Sequence, residues 1–183
     1  MEIEKTNEAW VTFSGAIDNV SVQKFFVNFA SATVNKIDTV HLLFHSLGGY
    51  VSDGVCLYNY LKSLPINIVA YNVGNVSSIA VIIYLAANKR VCASNATFMI
   101  HKSHSSPAQG QTSANLKEIA DSLDIDNLRT ESILKEHLIL PENKWLLHER
   151  GDLIITANEA IAFNLVHEIC QFEPPKNITV YNI

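Results

Sequence analysis

Residues 71–101 read YNVGNVSSIAVIIYLAANKRVCASNATFMIH, and the rest of the predicted fold is arranged around this stretch. An apolar run ends at Tyr71, breakers follow as far as Gly74, and an apolar segment of helical length begins at Ile79. This pattern predicts a strand, a tight turn and a buried helix. Ser78 stands at the first turn of that helix, where unpaired N–H groups and the helix dipole can stabilise an oxyanion. It is therefore the first candidate nucleophile.

The composition predicts one globular domain over residues 1–183. Of the 183 residues, 48% are hydrophobic and 17% are charged, which suits one sizeable core. The net charge is −5, and no basic cluster exceeds the dipeptide Lys89-Arg90. We therefore expect no nucleic-acid partner, because a surface that follows phosphates needs clustered cations.

The N-terminal residues MEIEKTNEAW are polar and acidic, without the apolar segment of a secretory signal. The longest apolar run is shorter than a bilayer requires. We therefore expect a soluble, cytoplasmic protein with no membrane partner.

The three cysteines, Cys56, Cys92 and Cys170, lie far apart among apolar neighbours. An odd number with this spacing argues against disulfides and against a zinc site. We expect buried free thiols, and we expect neither a metal nor another cofactor.

The first half of the chain alternates strand and helix patterns. Strands are predicted at 9–14, 38–45, 66–71, 90–92 and 97–101 (the last two around a turn at 93–95), and helices at 20–34, 51–64 and 79–87. This order predicts an α/β fold with a mostly parallel sheet and right-handed crossovers. Ligands bind at the carboxyl ends of such strands, where the Gly48-Gly49 turn and the Ser78 turn both fall.

The second half of the chain is predicted to be mainly helical. After a polar loop, residues 113–138 have a long helical pattern with a charged middle. This pattern indicates a helix that projects from the body and could serve a subunit contact; a plain surface helix is the alternative. Further predictions are a helix opened by Pro141 through 147, a helix after the capping box at 156–159, a last strand at 166–172 and a surface arm at 173–183.

A serine hydroxyl becomes nucleophilic when a base takes its proton and a third group orients the base. His101 ends a strand at the sheet edge expected for Ser78, and Asp152 follows in a loop expected between two helices. The N–H groups of Ile79 and Gly49 could form an oxyanion hole, since a glycine turn allows close approach.

The residues alone leave alternatives to this triad open. Ser77, His45 and His104 could substitute for the serine or the base. A serine at a helix start is also commonly a cap.

Five motifs occur in order: SLGG at 46–49, GNVSSI at 74–79, MIH at 99–101, QGQ at 109–111 and TANEA at 156–160. Together they resemble the proteolytic subunit of the ATP-dependent Clp protease, ClpP, within the wider ClpP/crotonase fold, over about residues 9–169. The resemblance implies a ClpP/crotonase-like sheet with βα crossover units and a projecting handle region at about 102–138. It also implies a triad and two oxyanion donors, namely Ser78, His101 and Asp152 with Gly49 and Ile79.

The resemblance implies a serine endopeptidase that hydrolyses peptide bonds of peptides or unfolded proteins inside an oligomeric chamber. Subunits of that family form heptameric rings, and two rings stack through the handles into a tetradecamer. A peptide is expected to bind as an added strand beside the segment after His101, with an apolar pocket for one side chain. An AAA+ unfoldase normally feeds such a chamber, but the segment before Ala9 is shorter than the family's axial hairpin, so that partner is not assumed.

Two other readings remain. A ring subunit or assembly protein could keep this fold and be catalytically silent. A crotonase-type acyl-CoA enzyme shares the oxyanion hole, but such enzymes place carboxylates near it and residues 72–87 contain none.

Overall fold

The computed structural model describes residues 7–183, so the expectation about the segment before Ala9 lies largely outside the described residues. The elements in chain order are β1 (Glu8–Ser14), α1 (Asn19–Val34), β2 (Thr39–His45), α2 (Val51–Ser63), β3 (Asn67–Asn72), β4 (Asn75–Ser77), α3 (Ile79–Leu85), β5 (Lys89–Cys92), β6 (Thr97–Ile100), α4 (Ser113–His137), α5 (Glu142–Arg150), β7 (Leu153–Thr156), α6 (Ala157–Ala162), β8 (Glu168–Ile169) and β9 (Val180–Asn182).

A six-stranded sheet in the order β8-β5-β3-β2-β1-β9 forms the main layer. All its strand pairs are parallel, as the alternation of strands and helices predicts. Inward-facing residues of β1 and β2, such as Phe13 and Phe44, are opposite one another in the register and pack with Phe25 of α1. The predicted α/β fold with a mostly parallel sheet is confirmed.

A second, smaller sheet has three strands. Its order is β4-β6-β7, with β4 parallel and β7 antiparallel to β6. A bridge between Ser46 and Val76 joins it to the end of β2. The strands β5 and β6, predicted on either side of one turn, therefore belong to different sheets. The expectation that Asp152 lies between two helices is wrong, because β7 begins directly after it.

Helix α3 is the centre of the core, with every residue buried. It packs closely on α2 at Gly54, where an added Cβ would lie 2.1 Å from Cγ1 of Ile79. Only a residue without a side chain allows this approach. The contact fixes the first residue of α3, which follows Ser78 directly.

Helix α4 lies mainly at the surface. Of its residues, all of which the structure describes, only Leu134 is buried. A projecting helix and a plain surface helix would both show this burial, so the projecting handle stays a prediction. Thr112 caps its N-terminus by accepting a hydrogen bond from the N–H of Asn115. Within residues 7–183, no helix is both long enough and apolar enough to cross a bilayer.

The C-terminal residues correct two expectations. The last predicted strand shrinks to the two residues of β8, and the tail does not simply form a surface arm. Residues Val180–Asn182 instead pair in parallel with β1, and Ile183 is buried behind them. The first and last described strands of the chain are thus neighbours in the sheet.

The cysteines also correct one expectation. All three are free, but Cys56 is exposed on α2 rather than buried. Cys92 is buried as predicted, and burial raises the pKa of its thiol to about 11. Cys170 is partly buried.

Candidate active site

Ser78 occupies a strained turn between β4 and α3. Its φ is 57° and its ψ is −134°, a backbone region that residues other than glycine rarely adopt. The turn is held in place because the N–H of Ser78 donates to the carbonyl of Met99 at 2.7 Å. Strained turns of this kind between a strand and a helix present a nucleophile to solvent in hydrolases.

His101 reaches Ser78 from the neighbouring strand. Ser77 is paired with Met99 in the parallel register of β4 and β6, so the residues that follow leave the sheet at the same edge. The Nε2 atom of His101 lies 2.8 Å from Oγ of Ser78, within hydrogen-bond distance. The imidazole can therefore accept the hydroxyl proton directly.

Asp152 reaches His101 from the other side of the small sheet. The antiparallel register pairs Ile100 with Leu153, which places the next residue of β6 opposite the residue before β7. Oδ1 of Asp152 lies 3.2 Å from Nδ1 of His101. The Asp152 side chain is 64% exposed and that of His101 is 17% exposed, so the carboxylate approaches the shielded ring from the solvent side.

The predicted oxyanion donors, Gly49 and Ile79, line the same cavity as Ser78. Among the hydrogen bonds of residues 7–183, neither N–H group is a donor, so both remain available to a ligand. The glycine turn is held by Ile17, whose N–H donates to Gly48 at 3.0 Å. A Cβ on Gly49 would lie 2.0 Å from the Ile17 carbonyl oxygen, so this position requires glycine.

Gly48 has a role in the site that the sequence reasoning missed. Its φ is +105°, and an added Cβ would lie 2.7 Å from Cβ of Ser78. The SLGG motif drew attention to the second glycine as a donor, but the first is the one that makes room for the serine. A glycine pair next to a nucleophile turn is the signal that could have revealed it.

The geometry separates the alternatives left open by the sequence. Ser77 is 2% exposed, and its hydroxyl donates to the side chain of Asn75. His45 lines a separate depression with Gly48 and does not line the cavity at Ser78. His104 packs edge-on against His101 with ring centroids 5.1 Å apart, but the ring nitrogen within hydrogen-bond distance of Ser78 belongs to His101.

The cavity beside Ser78 has a volume of about 460 Å³ and extends to α4. Its apolar walls come from α2, α3, β6 and α4. The remaining lining comes from the turns around Gly49 and Ser78, from the segment at 101–105, and from Asp126 and Thr130 of α4. The apolar lining residues are Val51, Ile79, Ile82, Ile100, Leu123 and Leu134. A pocket of this kind can hold one side chain of a bound peptide.

Lys102, the residue after His101, joins three elements. Its Nζ lies 2.7 Å from Oε2 of Glu131 on α4 and 2.8 Å from Oε1 of Glu149 on α5. Burial alone would lower the pKa of Lys102, but the hydrogen bonds to the two carboxylates raise it. Hydrogen bonds from Lys102 and Lys135 lower the pKa of Glu131 to about 2. The sequence reasoning also missed this cluster, since no local motif links residues so far apart.

Comparisons with known proteins agree on one family. The Clp protease family model matches residues 4–173. An ATP-dependent Clp protease proteolytic subunit of Dehalococcoides mccartyi is 29% identical over 137 residues, covering 72% of this chain and 66% of that protein. ATP-dependent Clp protease proteolytic subunit 3 of Rhizobium meliloti is 26% identical over 164 residues, covering 85% of this chain and 80% of that protein.

Among solved structures, a point mutant of ClpP1 from Listeria monocytogenes superposes with a TM-score of 0.78. The match covers 92% of this chain and 93% of that one at 21% identity, so it shows the fold. The resemblance and the ClpP-like fold inferred from the sequence are confirmed.

Proposed function

This chain belongs to the Clp protease family, and on that premise we propose that it is a serine endopeptidase acting on peptides or unfolded proteins. The observation that carries the proposal is the 2.8 Å contact between Oγ of Ser78 and Nε2 of His101. Asp152, 3.2 Å from the other ring nitrogen, is the orienting carboxylate in this assignment. The strained backbone of Ser78 supports it further, since strain at one residue is commonly retained where it serves a function.

In the proposed acylation step, Oγ of Ser78 attacks the peptide carbonyl carbon while Nε2 of His101 takes the hydroxyl proton. Asp152 accepts a hydrogen bond from the Nδ1–H of His101, which fixes the tautomer and stabilises the imidazolium. The N–H groups of Gly49 and Ile79 donate to the oxyanion that forms. The imidazolium then protonates the amine nitrogen, the C–N bond breaks, and an acyl-serine ester remains.

In the proposed deacylation step, His101 takes a proton from water as the water oxygen attacks the ester carbonyl. The oxyanion again accepts hydrogen bonds from Gly49 and Ile79. The tetrahedral intermediate collapses, the proton returns to Oγ of Ser78, and the carboxylic acid product leaves. No cofactor enters either step.

We further propose that the chain acts as a cytoplasmic homo-oligomer, a heptameric ring whose handles allow a second ring to stack. The exposed α4 and the family membership support this assembly. The relatives are named as subunits of an ATP-dependent protease, so an AAA+ unfoldase is the partner class to test. Native mass spectrometry of the purified chain should show seven or fourteen copies, and a monomer at micromolar concentration would contradict the ring.

Hydrolysis of a fluorescently labelled unfolded protein, such as labelled casein, tests the proposed activity. The wild-type chain should release labelled peptides, Ser78→Ala should not, and Ser77→Ala should retain most of the activity because its hydroxyl is engaged by Asn75. A folded, assembled wild-type protein without activity on protein or peptide substrates would favour the silent ring subunit instead.

A further inference from the structure

The cavity next to Ser78 combines apolar walls with a single acidic group. Of the described residues that line it, Asp126 is the one carboxylate, and neither lysine nor arginine is among them. Thr130, one turn further along α4, adds a hydroxyl. A cavity of about 460 Å³ with this lining suits a long aliphatic side chain with a polar end.

Asp126 is held in place but only partly satisfied. Its Oδ1 accepts a hydrogen bond from Nη1 of Arg129 at 3.1 Å, and its side chain is 22% exposed. Among the hydrogen bonds and ion pairs of residues 7–183, Oδ2 has no partner. Arg129 is 40% exposed and does not line the cavity, so it approaches the carboxylate from outside.

We propose that Asp126 makes this cavity select a basic side chain, lysine or arginine, on the residue that supplies the scissile carbonyl. The inference rests on the proposed peptidase function and adds the substrate class to it. The methylene groups of such a side chain contact Ile82, Ile100 and Leu134, and its cationic end binds the carboxylate of Asp126. Arg129 competes with the substrate for the same carboxylate, so its removal strengthens the selection.

Two fluorogenic peptides that differ at this one residue test the proposal. One carries lysine and the other norleucine, which has nearly the same length and shape without the charge. In the wild type, kcat/KM should be higher for the lysine peptide, and Asp126→Asn should reduce the ratio of the two values by about tenfold, the scale of one charge-assisted hydrogen bond. Arg129→Gln should raise the ratio.

Asp124→Asn is the matched control, because Asp124 lies on the same helix but is exposed and does not line the cavity. It should leave the ratio unchanged. An equal ratio in the wild type and Asp126→Asn, or an equal drop in Asp124→Asn, would overturn the assignment.

The norleucine peptide separates failure of this inference from failure of the proposed function. If the wild type cleaves it but shows no preference for lysine, the peptidase function stands and the role of Asp126 is wrong. If neither peptide is cleaved by a folded sample, reaction with diphenyl phosphonates carrying the same two side chains decides. In that reaction Oγ of Ser78 bonds to phosphorus, and phenoxide leaves with the proton that His101 took. Faster reaction of the lysine phosphonate than of the norleucine phosphonate supports the inference. Absence of reaction with either compound refutes both the inference and the proposed peptidase function.

Discussion

The distance between the proposed base and its carboxylate is set by the pairing of two short strands. Because Ile100 is opposite Leu153, His101 and Asp152 leave the ladder facing one another. Asp152 is more than half exposed, so the 3.2 Å approach of its Oδ1 to Nδ1 of His101 is maintained by this register rather than by burial. The third member of the proposed triad therefore acts through the position of the imidazole.

Asp152→Asn should lower kcat by about 10²- to 10⁴-fold and leave the fold intact. An asparagine amide can donate a hydrogen bond to Nδ1 of His101, which favours the tautomer that carries its proton on Nε2. In that tautomer Nε2 cannot accept the proton of Ser78. Peptide turnover measured beside circular dichroism checks this expectation. Asp121→Asn, an exposed position on α4, is the control, and unchanged turnover in Asp152→Asn would remove this residue from the mechanism.

Gly48→Ala should slow reaction at Ser78 by about 10²-fold, because displacement of a reacting group by about 1 Å costs that much. The new Cβ would lie 2.7 Å from Cβ of Ser78, so one of the two residues must move. The rate of covalent labelling of the serine measures the effect.

Gly110→Ala distinguishes the effect of the contact between residue 48 and Ser78 from the effect of backbone strain. Gly110 has a φ of +78°, also unfavourable for alanine, but nothing lies within 4 Å of an added Cβ. Both variants should lose stability, but only Gly48→Ala should lose reactivity. Equal loss of reactivity in both would show that strain, and not contact with Ser78, is responsible.

At the scale of elements, one ammonium group joins the strand that ends at His101 to two helices. Lys102 binds Glu131 of α4 and Glu149 of α5, and α5 leads directly to Asp152. Helix α4 is thus linked, through Lys102, to the residue that follows the proposed base. Movement of α4, as in the proposed contact between rings, would be transmitted to the segment that carries the proposed base.

Acid should weaken the ion pairs of Glu131 with Lys102 and Lys135 over a defined pH range. The pKa of Glu131 falls from its ordinary 4.5 to about 2 in the folded chain through its hydrogen bonds to Lys102 and Lys135, so its stabilising contribution is complete above pH 4.5 and is lost as pH falls toward 2. Glu131→Gln should therefore be less stable than the wild type at neutral pH, and the difference should shrink between pH 4.5 and 2. Urea unfolding at each pH measures it.

Glu118→Gln, an exposed position on the same helix, is the control for this pH series. Its free energy of unfolding should follow that of the wild type throughout. A gap between the wild type and Glu131→Gln that stays constant down to pH 2 would show that the ion pairs of Glu131 with Lys102 and Lys135 do not cause the difference.

For the whole molecule, the first and last described strands meet at one edge of the main sheet. The strand β9 pairs with β1, and Ile183 is 5% exposed behind it. Ile183→Ala should lower the free energy of unfolding by about 2 kcal/mol, the lower end of the range for truncating a buried aliphatic side chain. Val180→Ala, at a 39% exposed position of the same strand, should change it little, and equal effects would argue against docking of the tail.

The sequence predicted the long, periodic elements well but missed several of the short strands. Helices α1, α2 and α4 have apolar periodicity over several turns, so their patterns identify them. The strands β4, β7 and β9 have three or four residues each, too few for a pattern, and distant partners determine them. The predicted arm and the predicted position of Asp152 between helices failed for this reason.

The site shows the same division between local and distant information. Motifs in the sequence identified Ser78, His101 and Asp152, and the structure brings them within hydrogen-bond distance, although their catalytic roles remain predictions. The family resemblance preferred Ser78 over Ser77, and the structure adds the physical reason: the positive φ of Ser78 and the engaged hydroxyl of Ser77. Asp126 lies on a helix far along the chain, and only folding brings it to the cavity.

Covalent labelling with a fluorophosphonate tests the central claim, that Ser78 is an activated nucleophile, most directly. Oγ of Ser78 should bond to phosphorus as fluoride leaves, and tandem mass spectrometry should locate the adduct on Ser78. We predict labelling of the assembled wild-type protein, none of Ser78→Ala, and much slower labelling of His101→Ala. A folded, assembled wild-type sample that stays unmodified at Ser78, or an adduct found on another serine, would contradict the account.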